Sequence, residues 1–171
     1  MKISRLTSKD YDQFYSLRLE SLGTCPEEFA TDAEAWKAAP RETINRLLVN
    51  SEERKDTPIL GAWMDDVLIG LIGANRDSRP SVSHKSTLWG WYVTPAHRRR
   101  GVGQSLLDEV IKILKDERDL RLIRAVVTVT SRSAISLLEK QGFKVYGQEP
   151  EAKQINDKYY DQVYLWFSLK E

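Results

Sequence analysis

The chain has 171 residues, of which 41% are hydrophobic and 30% are charged, so we expect one globular domain, 1–171, with a substantial core. The formal net charge of +1 argues against a generally basic nucleic-acid-binding protein, and any functional positive charge must be local. One cysteine and two histidines exclude an internal disulfide and offer no zinc-ligand spacing, so no metal is expected.

The first half of the chain predicts a strand, two helices and a β-hairpin. MKISRL alternates and forms a short strand. Thr7, with Asp10 three residues later, resembles a capping box, so a helix should begin near Ser8 and end near Gly23. CPEEFATDAEAW is expected to be a loop, followed by a second helix from residue 40 or 41 to residue 49. The two β-prone runs of PILGAWMDDVLIGLIGANRD predict the hairpin.

The second half predicts three further strands and two helices after the strand STLWGWYV, which is rich in aromatic and β-branched residues. Apolar residues at helical spacing predict an amphipathic helix from Val102. RLIRAVVTV is apolar enough for a strand that is buried on both faces. SRSAISLLEKQGF predicts a helix that ends at Gly142, and FKVYGQ and DQVYLWFSL predict the last two strands.

These elements predict a mixed α/β fold with the order β-α-α-β-β-β-α-β-α-β-β. A strand, a helical crossover and a second buried strand imply that STLWGWYV and RLIRAVVTV are parallel. We therefore expect a single domain with a central, mixed, mostly antiparallel twisted sheet and helices on both faces. The longest apolar run, VLIGLIGA, is far shorter than the roughly 20 residues that cross a bilayer. MKISRLTSKD lacks the apolar stretch of a signal peptide, so we expect a cytoplasmic protein with no membrane partner.

The segment AHRRRGVGQSLLDEV, residues 96–110, places three arginines and two glycines where a strand ends and a helix begins. Free backbone N–H groups and the helix dipole form an anion site at such a point. Gly101 and Gly103 let the backbone approach a ligand closely, and Arg98, Arg99 and Arg100 suit phosphate oxygens. A phosphate-bearing ligand is therefore expected.

Several phosphate-binding patterns do not fit this segment. The dinucleotide pattern G-x-G-x-x-G requires glycine at Leu106, and the P-loop's Gly-Lys-Ser/Thr is missing. A nucleic-acid surface would favour further basic clusters with interleaved aromatic residues, and it would leave the two glycines without a purpose. We expect no nucleic-acid partner.

The remaining pattern, Arg98-x-x-Gly101-x-Gly103, resembles the R-x-x-G-x-G motif of the GNAT superfamily of acyl-CoA-dependent N-acyltransferases. WYVTPAHR is similar to the YVxPxxR that precedes this motif in the family. VTVTSRSAISLLEKQGFKVYG is similar to the second motif, V-x-x-x-N-x-x-A-x-x-x-Y-x-x-x-G-F. The resemblance covers about residues 60–169, and LRLESLGTCPEEF resembles LRLEAL…PEAF of one subgroup.

The resemblance implies a GNAT fold and acetyl-CoA as the cosubstrate. In the family the pantetheine arm pairs with the strand before the loop, so Trp91 and Val93 are expected to offer it backbone groups, with Tyr92 beside them. The thioester carbonyl would lie near the Val93 N–H, a donor for the developing oxyanion. The other residues expected to contact the cofactor are Arg98, Arg99, Arg100, Gly101, Val102, Gly103, Gln104 and Ser105 in the loop, and Ser131 and Ser133 in the second motif.

The second motif departs from the family at two positions. Its usual asparagine falls on Ser131, and its usual tyrosine, often proposed as the acid for the departing thiolate, falls on Leu138. A thiol pKa of about 8.5 makes thiolate a tolerable leaving group, so transfer should be slowed rather than prevented. Ser131, Ser133 and Tyr146 are alternatives for an acid, while N-capping of a helix also explains the two serines.

An amine acceptor, with a pKa of about 10, needs a base to remove its proton. His84 and His97 are not well placed for this role. Glu20, in the helix that should line the acceptor side, and Asp161, in KYYDQ, are the candidates. A solvated helix face also explains Glu20.

The sequence thus predicts an N-acetyltransferase in which the primary amine of a small molecule or peptide attacks acetyl-CoA directly. A non-catalytic acyl-CoA-binding module or sensor of the same fold is the alternative, motivated by Leu138 and Ser131. The acceptor, the length of the acyl chain and a homodimer are left open.

Overall fold

The computed structural model describes residues 1–170, which form seven strands and five α-helices. In chain order the elements are β1 (Lys2–Arg5), α1 (Tyr11–Thr24), α2 (Ala33–Ala38), α3 (Arg41–Glu53), β2 (Ile59–Met64), β3 (Val67–Arg76), β4 (Lys85–Val93), α4 (Val102–Lys115), β5 (Leu122–Thr128), α5 (Arg132–Lys140), β6 (Lys144–Ile155) and β7 (Lys158–Ser168). The strands form one sheet in the order β1-β2-β3-β4-β5-β7-β6. All neighbours are antiparallel except β4 and β5, which confirms the predicted parallel pair and the mixed α/β fold.

Helices cover both faces of the sheet, as predicted. The α4 helix packs on one face, where Leu106 and Leu107 are fully buried. On the other face, α1 buries Phe14. Adjacent residues of β2, Ile59 and Leu60, belong to different hydrophobic clusters because strand side chains alternate between faces. Burial of each large side chain contributes about 1.5–3 kcal/mol.

Local signals in the sequence correctly place several element ends. The Asp10 carboxylate accepts the Thr7 N–H at 2.8 Å, and a short 3₁₀ turn, Ser8–Asp10, leads directly into α1. Asp65 and Asp66 have φ values of 49° and 61°, the left-handed pair that a tight two-residue hairpin turn requires.

The structure corrects two of the sequence predictions. The segment CPEEFATDAEAW, expected as a loop, contains a 3₁₀ turn at Pro26–Glu28 and the helix α2, which adds one helix to the predicted order. The Asp32 carboxylate caps α2 by accepting the Ala35 N–H at 2.6 Å. The strand β6 extends far beyond FKVYGQ, because irregularities in its pairing with β7 absorb the segment between Glu149 and Lys153.

Within residues 1–170 no helix is both long and apolar enough to span a membrane. In this same part of the chain, no group of histidine, cysteine and acidic side chains is arranged to hold a metal ion.

Candidate active site

A cleft opens where β4 and β5 separate. Residues 85–87 of β4 pair with residues 122–124 of β5, and over the described residues this pairing goes no further. The rest of β4, residues 88–93, therefore has an open edge toward β5. In α/β sheets, ligands bind beyond the carboxyl ends of parallel strands at such a point.

The end of β4 turns backbone groups toward this cleft. The Thr94 N–H donates to the Ile69 carbonyl of β3 at 2.9 Å. Because backbone groups alternate between the two edges of a strand, the N–H and carbonyl of Val93 face the cleft, and so do those of Trp91. The two residues predicted to offer backbone groups therefore lie along the open edge.

Successive side chains of β4 point to opposite sides of the sheet, toward α4 and toward α1. The Trp91 indole lies on the α4 side, where its Nε1 donates to the Gly103 carbonyl at 3.2 Å. Tyr92 points to the α1 side and donates its hydroxyl to Glu20 at 2.9 Å. Both rings are thus packed as strand side chains, and Glu20 lies with the Tyr92 hydroxyl on the α1 side.

The loop before α4 has the features of an anion site. Arg99 and Gly101 are left-handed, with φ values of 59° and 80°. The Ser105 N–H, which bonds to the Gly101 carbonyl at 2.9 Å, is the first N–H of the helix with an i−4 acceptor. The N–H groups of residues 102–104 therefore lack intrahelical acceptors, and the first turn contains no acidic residue. The geometry suits a phosphate group.

Arg98 is exposed like the two arginines that follow it, but its side chain makes specific contacts. Its Nε donates to the Val93 carbonyl at 2.9 Å, and its Nη2 lies 3.6 Å from the Cys25 Sγ. Its side chain therefore connects the end of β4 with the segment that follows α1.

The Pro26–Glu28 turn crosses the open end of the cleft. Cys25, which precedes it, contacts Arg98, whose side chain is bonded to Val93 at the end of β4. At the end of β5, the Thr128 hydroxyl donates to the Glu27 carbonyl at 2.8 Å. Lys153 of β6 donates to the same carbonyl at 2.9 Å. The turn is thus attached to both diverging strands.

Glu28, which sequence analysis missed, presents a partly buried carboxylate beside Ser131. Burial raises the pKa of Glu28, against the opposing effects of the Ser131 hydrogen bond and the Lys153 charge. The Ser131 hydroxyl donates to Glu28 and does not cap α5. A carboxylate with a raised pKa in a cleft is a candidate general base.

The other positions considered in the sequence have different surroundings. Both carboxylate oxygens of Asp161 accept hydrogen bonds, from the Gln148 side chain and the Glu151 N–H, each at 2.9 Å. Leu138 is completely buried in the α4-side core, so the family's usual acid position cannot supply a proton here. Ser133 is exposed on α5.

Comparisons with known proteins agree with this geometry. The profile of the acetyltransferase (GNAT) family matches residues 12–143. The chain is 28% identical to spermidine N(1)-acetyltransferase of Thermoplasma acidophilum over 152 residues, which cover 85% of this chain and 89% of that protein. Its fold is similar to a GNAT acetyltransferase from Streptococcus pneumoniae, with a TM-score of 0.87, 21% identity and 98% of both chains covered. A putative acetyltransferase from Salmonella typhimurium, solved with its cofactor acetyl-CoA, has a TM-score of 0.85 at 18% identity, with 100% of this chain and 95% of that one covered.

Proposed function

Because the chain belongs to the acetyltransferase (GNAT) family, we propose that it transfers the acetyl group of acetyl-CoA directly to a primary amine, with no covalent enzyme intermediate. The observation that carries this proposal is the cleft between β4 and β5, with an anion site at one wall and a partly buried carboxylate at the other. Acetyl-CoA bound at the anion site and a carboxylate base would therefore meet in the same cleft.

The donor half of the mechanism uses mainly backbone groups. Acetyl-CoA would pair along Trp91 and Val93, and the N–H groups of residues 102–104 would hold its diphosphate, with the exposed Arg99 and Arg100 adding charge. The Val93 N–H would then stabilise the oxyanion that forms when the amine attacks the thioester. Arg98 supports this donor by holding the Val93 carbonyl in place.

The acceptor half requires a base, since only about one amine in 10³ is unprotonated at neutral pH when its pKa is about 10. We assign this role to Glu28, because burial raises its pKa and a higher pKa makes a carboxylate a stronger base. Glu20 lies on the wall of the cleft that α1 and the following turn form, which we call the α1 wall. It accepts a hydrogen bond from Tyr92, and this position suits a contact with the incoming amine. Asp161 is the weaker candidate because both its oxygens are occupied.

The departing thiolate needs no dedicated acid. With Leu138 buried and a thiol pKa of about 8.5, solvent or the proton that Glu28 takes from the amine is sufficient. Collapse of the tetrahedral intermediate breaks the C–S bond and yields an amide, free CoA and one proton.

Release of CoA thiol from acetyl-CoA, measured over a broad panel of amines, tests the proposal. We expect amine-dependent release with a mass increase of one acetyl group on the acceptor. Tight CoA binding with no amine-dependent release across the panel would instead identify a non-catalytic acyl-CoA-binding module.

A further inference from the structure

Arg18 of α1 is a buried cation without an acidic partner. The residue is only 6% exposed, and its Nη1 makes a single long contact, 3.3 Å, with the Ser21 hydroxyl. Its Nε has no hydrogen-bond partner among residues 1–170. Burial is what lowers the pKa of Arg18, to about 10, so the guanidinium is charged at neutral pH. No carboxylate within the described chain forms an ion pair with it.

Arg18 lies on the α1 wall of the cleft. Its guanidinium carbon is 4.3 Å from the centre of the Phe29 ring, and a Cβ placed on Gly90 would lie 3.8 Å from its Nη1. Gly90 belongs to the part of β4 that has already separated from β5. Lys153 of β6, beyond β5 and β7 in the sheet, is close enough to be affected by the Arg18 charge. The guanidinium therefore lies among Phe29, the separated part of β4 and the Lys153 side of the cleft.

An unpaired buried charge lowers the stability of a fold. Lys153 has its charge offset by Glu27 and Glu28, but Arg18 has no such partner. The planar guanidinium fork binds a carboxylate through two parallel hydrogen bonds, and one carboxylate would balance its single charge. A ligand that brings this group would complete the site.

We propose that Arg18 binds a carboxylate of the acceptor, so that the substrates are amines that also carry a carboxylate. This inference rests on the proposed function, because Glu28 then faces the amine end of the same molecule. Gly90 and Val93 are three residues apart, about 10 Å along an extended strand, which sets the scale of the distance between the carboxylate and the reacting amine. A polyamine would instead place additional positive charge beside Arg18 and Lys153.

The test compares the initial rate of acetylation within matched pairs of acceptors. Each pair is an α- or ω-amino acid and the amine left by removing its carboxylate, such as leucine with isoamylamine or 6-aminohexanoate with pentylamine; spermidine is the polyamine. We expect the carboxylated member to be favoured by about 10- to 100-fold in kcat/KM. In Arg18→Met we expect this preference to disappear through a higher KM for the acceptor, with an unchanged KM for acetyl-CoA and a higher Tm.

Two further variants separate substrate binding from packing. Arg18→Lys keeps the charge but not the fork, and should retain part of the preference even if Arg18→Met folds poorly. Arg41→Met is the matched control, since Arg41 lies 3.9 Å over the Tyr11 ring on the exposed surface, and it should leave the preference unchanged.

The outcomes are distinguishable. Acetylation of carboxylate-free amines as fast as their carboxylated partners would overturn the inference and leave the proposed function standing. A lower Tm in Arg18→Met with an unchanged preference would show that Arg18 only packs on Phe29. Acetyl-CoA binding with no amine-dependent turnover would overturn the proposed function itself.

Discussion

The two walls of the cleft are built to bind ligands in different ways. The α4 wall presents backbone N–H groups, flanked by exposed arginines and a helix start with no acidic residue. The α1 wall presents charged side chains that are partly or fully removed from water, namely Arg18, Glu28 and Lys153. Backbone donors hold a phosphate through groups that every residue has, whereas a desolvated side chain discriminates strongly between charges.

We therefore expect the α4 wall to bind acetyl-CoA and the α1 wall to determine turnover and the choice of acceptor. Substitutions on the α4 wall should change affinity for acetyl-CoA and leave the chemistry of the bound complex intact. Substitutions on the α1 wall should change turnover or the choice of acceptor and leave acetyl-CoA affinity intact.

The largest expected effect comes from Glu28→Gln. The amide keeps the size of the side chain and can still accept the Ser131 hydrogen bond, but it cannot take a proton from the amine. We expect kcat to fall about 10²- to 10⁴-fold, measured as CoA thiol release, with an unchanged Kd for acetyl-CoA by calorimetry. A kcat within threefold of the wild type (about 0.7 kcal/mol in barrier) would remove Glu28 from the mechanism.

The pH profile gives an independent control for the same residue. Burial raises the pKa of Glu28, so kcat/KM should decrease as the pH falls through this raised value and Glu28 becomes protonated. Glu27→Gln is the matched variant: the Glu27 charge also raises the pKa of Glu28, so its removal should move the acid limb to lower pH without a large loss of kcat. An acid limb that does not move would contradict the assignment.

The same pKa shift has a defined consequence for stability. An acid whose pKa is raised in the folded state contributes stability that is present below its ordinary pKa and is lost as the pH rises through the raised value. Above the raised value, the ionised form of Glu28 therefore lowers the stability of the fold. Glu28→Gln should consequently have a Tm equal to or above that of the wild type, in contrast to its loss of activity.

The α4 wall could be predicted from the sequence because its groups are contiguous. Arg98, Gly101 and Gly103 lie within one turn between a strand and a helix, so their types and spacing indicate an anion site directly. The sheet order could also be derived, since the apolar strands and the helical crossover each have a local pattern. The side-chain direction of Arg98 could not be predicted, because it depends on contacts with Val93 and with Cys25, which is distant in sequence.

The α1 wall could not be predicted in the same way, because its groups come from α1, the Pro26–Glu28 turn, α5 and β6. Ser131 donates to Glu28 only because the turn crosses the end of β5. One signal was available for Arg18: it stands four residues after Phe14 and four before Leu22, both completely or almost completely buried. A charged residue on the apolar stripe of a helix is exceptional and indicates either a buried ion pair or a ligand.

A smaller effect is expected from Gly103→Val on the α4 wall. The atoms nearest to a Cβ at Gly103 belong to the Trp91 indole, at 3.6–3.8 Å, which is ordinary van der Waals contact, so the fold should accommodate the substitution while its methyl groups obstruct the approach of the diphosphate. The loss of a charge-assisted hydrogen bond predicts an acetyl-CoA Kd that is about 10- to 100-fold weaker. Calorimetry with CoA measures this change, and kcat at saturating acetyl-CoA should be retained.

Gly101→Val is the matched comparison for Gly103→Val. Gly101 has a φ of 80°, a conformation that costs a residue with a side chain about 1–2 kcal/mol. We therefore expect Gly101→Val to lower both the Tm and the affinity, and Gly103→Val to lower the affinity with little change in Tm. Full CoA affinity in Gly103→Val would refute the loop as the diphosphate site.

The smallest effects are expected from substitutions of Asp161. Two of them together distinguish a structural carboxylate from a catalytic one. Its two oxygens hold the irregular part of β6 by accepting from Gln148 and from the Glu151 N–H. Asp161→Ala removes both bonds and should lower the free energy of unfolding by about 1–2 kcal/mol. Asp161→Asn retains an acceptor for the Glu151 N–H, and the Gln148 amide can rotate to offer its oxygen, so most of this stability should return. A base cannot be replaced by an amide, whereas a structural acceptor can. Chemical denaturation and CoA release measured on both variants decide between the two roles, because a large loss of kcat in the stable Asp161→Asn variant would restore Asp161 as the base and displace Glu28.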